Sequence, residues 1–172
     1  MLATHSLLLA ATASLATAHF GLKYPSWRAD ALTNTSVTGF SEWTYPCAGV
    51  ATTATTNRTA WPLTGGSLVL DLHHPWTYVF VNLGLGPNVT NFNYTLTPQF
   101  LNTTGNGTLC IQKLALPSTL NVTDGATGSL QVVTLGDSGS ALYSVSFPNL
   151  FLSSVILDEA GWASSVNPGG AV

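Results

Sequence analysis

The chain has 172 residues with only 4 Lys and Arg against 7 Asp and Glu, a formal net charge of -3, and 6% charged residues where roughly a quarter is usual. Four cations cannot neutralise a run of phosphates, so nucleic-acid binding is excluded, and so sparsely charged a surface needs another source of solubility. The length suffices for one domain with a real core.

The first element is a targeting segment. Leu7 to Ala16 is an apolar stretch of signal-peptide length, and Ala16-Thr17-Ala18 fits the small-x-small cleavage rule. Residues 1–18 are therefore expected to be removed on secretion, which leaves His19 with a free α-amine. No later stretch has the roughly 18 apolar residues of a membrane span, so no transmembrane helix is expected in the mature chain.

From His19 onward the residues favour β structure. Val, Thr, Leu, Phe and Tyr dominate, and Gly, Pro and Asn punctuate them. Strands are predicted in "SLVLDL" (67–72), "TYVFVNL" (77–83), "NFNYTLTPQF" (91–100), "GSLQVVTL" (128–135) and "SALYSVSF" (140–147). Short strands, frequent turns and no amphipathic helix predict an all-β antiparallel sandwich, with residues 19–172 as one domain. Alternation puts Leu68, Leu70 and Leu72 on one face, and His74 falls on that face. Ser67, Val69, Asp71 and His73 take the other, and Pro75 ends or bends the strand. His74 is thus expected to be partly covered and His73 to face solvent.

Two further features point to the secretory pathway. Asn-x-Ser/Thr acceptors stand at Asn34, Asn57, Asn88, Asn93, Asn102, Asn106 and Asn121. Some arise by chance in a chain rich in Asn and Thr, but glycans would solubilise an uncharged surface. Cys47 and Cys110 are the only cysteines and form no Cys-x-x-Cys pair. One bridge closing a long loop and two free buried thiols are both compatible with that count.

The histidines suggest a metal. An N-terminal histidine offers its α-amine and its ring Nδ1 as a chelate, and a second imidazole opposite completes a T-shaped set of three nitrogens. Nitrogen ligation of this geometry favours Cu(II). Both imidazoles must be neutral and the amine, with an ordinary pKa of about 8, must lose its proton. Before cleavage the same nitrogen is an amide and a poor ligand, so secretion itself would assemble the site.

"HFGLKYPSWR" (19–28), "YPCAGV" (45–50), "NRTAWPLTGG" (57–66), "LHHPWTYVFVNLG" (72–84) and "GNGTLCI" (105–111) carry a family resemblance. The chain resembles the fungal copper-binding proteins related to lytic polysaccharide monooxygenases, the copper-acquisition group, from residue 19 to about 143. The resemblance implies an immunoglobulin-like β-sandwich, His19 and His74 as copper ligands, and Cys47 and Cys110 in disulfide positions. It also implies a monomer that handles copper at the cell surface, beside a copper transporter, without catalysis. After Leu142-Tyr143 the family continues into a Cys-Ala-Asp run, where this chain reads Ser144-Val145-Ser146-Phe147. The carboxylate of the site is then missing, and Asp137 is the nearest upstream substitute. Residues 145–172 depart from the family pattern, and "NPGGAV" has the small residues of a lipid-anchor signal without an apolar tail.

Three rival readings stand beside this one. An oxidative enzyme acting on polysaccharide would use Trp27, Trp43, Trp61 and Trp76 as a substrate surface. A serine peptidase would use His74, Asp124 and Ser138, which occur in chymotrypsin-like order around Gly136-Asp137-Ser138-Gly139-Ser140, although order alone does not define a triad. A wall glycoprotein would hold no metal at all.

Overall fold

The computed structural model describes residues 19–33, 38–51, 58–136 and 139–151. Its elements are all strands: β1 Phe20–Tyr24, β2 Thr59–Pro62, β3 Gly66–Leu72, β4 Trp76–Leu85, β5 Tyr94–Thr95, β6 Leu101–Thr104, β7 Gly107–Leu114, β8 Gly128–Leu135, β9 Ala141–Ser146 and β10 Pro148–Phe151. One antiparallel sheet runs β1-β3-β7, and the other runs β5-β4-β8-β9 with β6 also on β4. Their inner faces meet in a single apolar core. Leu68, Leu70 and Leu72 come from β3, Val79, Val81 and Leu83 from β4, and Leu130 and Val132 from β8. The period-2 alternation read in β3 is this burial pattern, and β4 shows the same one, because each strand sends every second side chain inward. The fold is thus the expected antiparallel β-sandwich, with one addition: β10 pairs with β2 in parallel. Among the described residues no helix is long and apolar enough to cross a membrane.

Two expectations need correction, and a third segment is clarified. The segment 91–100 is extended only at Tyr94–Thr95. The Leu96 N–H donates to the Val81 carbonyl, but the Val81 N–H donates to the Thr97 hydroxyl rather than to a backbone carbonyl. A side chain has replaced a rung of the ladder, and Pro98, which has no N–H, follows at once.

The stretch after Ser144 departs from the family pattern, yet as far as Phe151 it packs into this fold. Val145 and Phe147 are buried, and Leu150 of β10 lies in the main core. The Arg28 N–H donates to the Val145 carbonyl at 2.7 Å, and the Arg28 guanidinium lies 3.5 Å over the Phe147 ring. Residues 152–172 lie outside the described part.

The cysteines, finally, are free: Cys47 is buried and Cys110 is exposed. Cys47 packs on the β8 side of the molecule, where it meets Arg28, which in turn bonds Ser129, and where Pro46 accepts a hydrogen bond from Gln131. Cys110 sits on β7 of the opposite sheet, paired with Val69. Two sheets pack about 10 Å apart, beyond the roughly 7 Å between Cα atoms that a disulfide can span.

Candidate metal centre

The register of β1 against β3 builds one end of the site. Phe20 pairs with Leu72, and the His73 N–H donates to the His19 carbonyl at 3.3 Å. His19 therefore lies directly across from the His73-His74 turn, which is 54 residues away along the chain. Pro75 then starts the passage into β4.

The two histidines of that turn part company as the alternation requires. His74 is only 5% exposed, and its Nε2 is buried with no hydrogen-bond partner. Its ring packs on Gly136, where a Cβ would approach the ring carbons and Nε2 to 2.7–2.8 Å. His73 points outward, its Nε2 3.5 Å from Asp71 Oδ2 on the surface. Buried polar atoms are almost always paired, so the lone Nε2 of His74 calls for an explanation.

Glu42 is the residue that sequence reasoning passed over. It comes from the loop after β1, is 1% exposed, and brings Oε2 to 3.0 Å from His19 Nδ1. The Phe20 N–H donates to the same carboxyl, while Oε1 is buried and unpartnered. The Tyr143 N–H donates to the Glu42 carbonyl at 2.7 Å and ties the loop to β9. Burial pushes the carboxyl up to about 8, the Phe20 amide opposes this, and the charge of Asp30 adds to it. The imidazole of His19 is shifted the other way, below its ordinary value, by burial and by the nearby charges of His73 and His74. A shift in this direction keeps His19 in the neutral form that metal binding needs. The one available signal for Glu42 was its rarity, as one of seven acidic residues, in an aromatic setting between Phe40 and Trp43.

Asp137 and Ser138 lie outside the described residues. Among the described residues, no three His, Cys, Asp or Glu side chains converge on a common point. A histidine brace requires only two imidazoles, because its third nitrogen is the main-chain amine. Two imidazoles, one with an orphaned Nε2, and a neighbouring carboxyl group make a donor set suited to Cu(II). The peptidase arrangement does not assemble. Asp124 precedes a turn in which Gly125 bonds Leu150 and Thr127 bonds Gly86, at the end of β4 remote from His74. The ten residues of β4 span roughly 30 Å. Of the tryptophans named for a substrate surface, Trp61 is buried, Trp27 and Trp76 are half-buried, and Trp43 is exposed.

The family profile of the copper acquisition factor BIM1-like domain matches residues 17–147. The chain belongs to the BIM1-like copper acquisition factor family. Its function lies with copper. Among similar proteins, the lytic polysaccharide monooxygenase-like protein ham-7 of Neurospora crassa is 34% identical over 156 residues, 82% of this chain and 67% of that one. The lytic polysaccharide monooxygenase-like protein X325 of Aspergillus fumigatus is 32% identical over 158 residues, 76% of this chain and 65% of that one. Its counterpart X325 in Hypocrea jecorina is 34% identical over 155 residues, 80% and 65% of the two chains. The BIM1-like chain described here thus spans about two thirds of the length of these relatives.

Proposed function

We propose that this BIM1-like chain, cut after Ala18 during secretion, binds one copper ion as cargo and holds it at the cell surface for delivery to a transporter. His19 supplies its α-amine and Nδ1, and His74 supplies the second imidazole. The observation that carries the reading is the His74 Nε2, buried and without a partner beside the end of β1 where His19 lies. Glu42 takes the carboxylate role, and because the three side chains do not already converge, His74 and Glu42 come onto the one ion as it binds. First-row divalent ions bind imidazole nitrogen and carboxylate oxygen at about 2.0–2.2 Å, so two such ligands at right angles stand about 3 Å apart. The 3.0 Å between His19 Nδ1 and Glu42 Oε2 matches that separation. A divalent charge next to Glu42 also favours its ionised form and reverses the effect of burial.

Secretion accords with the sequons. Asn88, Asn93, Asn102, Asn106 and Asn121 are all exposed, as acceptors must be, while Asn34 and Asn57 lie outside the described residues. Copper titration of the processed protein beside a form with one extra N-terminal residue tests the brace. The processed form is expected to bind one copper tightly and the extended form far more weakly; equal, tight binding by both overturns the reading.

A second reading, copper-dependent oxidation of polysaccharide, is favoured by Trp43 and Tyr45, exposed at 49% and 67% in the same loop as Glu42. Oxidised oligosaccharides released from chitin, cellulose or other glucans, with copper and a reductant present, would establish it. Their absence would leave copper handling.

A further inference from the structure

The outer face of β4 and β6 carries a continuous strip of aromatic rings. Trp76 and Tyr78 stand 5.0 Å apart between centroids, Tyr78 and Phe100 4.7 Å, and Phe80 and Phe100 5.8 Å. Phe100 is 50% exposed, which is unusual for so large an apolar side chain held in a packed cluster. No charged residue interrupts the strip, and the copper site does not use it.

One sequon stands on this strip. β6 runs antiparallel to β4 with Tyr78 opposite Asn102 and Trp76 opposite Thr104, and residues paired in this way project from the same face. Asn102 is exposed and begins the acceptor Asn102-Thr103-Thr104. Phe100 lies two residues before it, on the same side of the extended chain and about 6–7 Å back along it. The four other exposed sequons have Gly86, Asn91, Thr104 and Thr119 at that position. Only Asn102 has an aromatic ring waiting behind it.

We propose that Asn102 carries an N-linked glycan whose first N-acetylglucosamine packs on Phe100, so that the aromatic strip is the seat of the protein's own sugar. One face of a pyranose is lined by C–H groups with a small positive charge, which complements the negative face of an aromatic ring. Phe100 is held for this contact by Tyr78 and Phe80 beneath it. The sugar is neutral, as is the strip, and it covers apolar surface that would otherwise favour association. In the attachment, Asn102 Nδ2 forms a bond to C1 of the sugar and loses a proton. The bond from C1 to the phosphate oxygen of a polyprenyl-diphosphate oligosaccharide breaks, and the lipid diphosphate leaves.

The inference rests on the secretion reading above. To test it, the full chain is secreted from a eukaryotic host, its glycopeptides are mapped by mass spectrometry, and its glycans are trimmed to single N-acetylglucosamine residues. Asn102 is expected to be occupied. The trimmed protein is expected to melt about 2–4 °C above both Asn102→Gln and Thr104→Ala, each of which destroys this acceptor alone. Phe100→Ser should abolish that gap. A bare Asn102 beside other occupied sequons overturns this inference alone, as does a gap that survives Phe100→Ser. A chain with no occupied sequon overturns the glycoprotein reading with it.

Discussion

At the scale of single residues, the site depends on a glycine as much as on its histidines. Gly136 lets β8 end against the His74 ring, and a Cβ there would intrude to 2.7–2.8 Å. Gly136→Ala should shift the imidazole and weaken copper binding on the order of 10- to 100-fold in a competition titration, while the protein stays folded. His74→Ala should weaken binding at least as much, and His73→Ala should leave it nearly unchanged, because His73 faces solvent beside Asp71. Burial keeps the Glu42 carboxyl largely protonated near neutral pH, so glutamine is a close replacement for it in the copper-free protein. Glu42→Gln is therefore expected to leave the copper-free melting temperature within about 2 °C, yet lower copper affinity about 10- to 100-fold. A loss of fold in Glu42→Gln would instead make Glu42 a structural residue. His74 was legible because Leu68, Leu70 and Leu72 set the inward face of its strand. Glu42 was not, since its meeting with His19 spans 23 residues and is made by a loop folding back on β1.

At the scale of elements, β10 shows how a departure in sequence can preserve a fold. The residues after Ser144 lack the family's pattern, but Leu150 is buried in the core and Pro148–Phe151 adds a parallel strand to β2. Leu150→Ala should cost about 2–5 kcal/mol in urea unfolding, the usual range for a large-to-small change in a core. A cost below about 1 kcal/mol would mean that β10 is only loosely attached. β7 escaped sequence reading because its side chains are mostly exposed, so no clean alternation marks it. Segment 91–100 erred the other way. Its alternation is real, but Thr97 and Pro98 end the ladder locally.

At the scale of the whole molecule, ligand binding and folding are linked. A ligand that binds only the folded state stabilises it by about 2.7 kcal/mol at a free concentration one hundred times its Kd. For a domain of this size that corresponds to a rise in melting temperature of about 5–10 °C. Calorimetry should show this rise with copper for protein starting at His19, and a much smaller one for protein with a residue added before it. Equal rises would place the copper elsewhere.

Composition and periodicity alone determined the class of fold, the inward position of His74 and the outward position of His73, because each follows from local chemistry and a period of two. Motifs along the chain pointed to the copper family, since those segments are continuous. Tertiary structure decided the rest. It buried Cys47 beside Arg28 and left Cys110 exposed on β7, and it put the His74 turn beside His19 through the register of β1 on β3. It also buried Glu42 against His19 and laid Asn102 opposite Tyr78, with Phe100 on the Tyr78 and Phe80 rings, on the outer face. Each of these is a relation between distant segments or across strands, and it exists only once the two sheets have closed on their core.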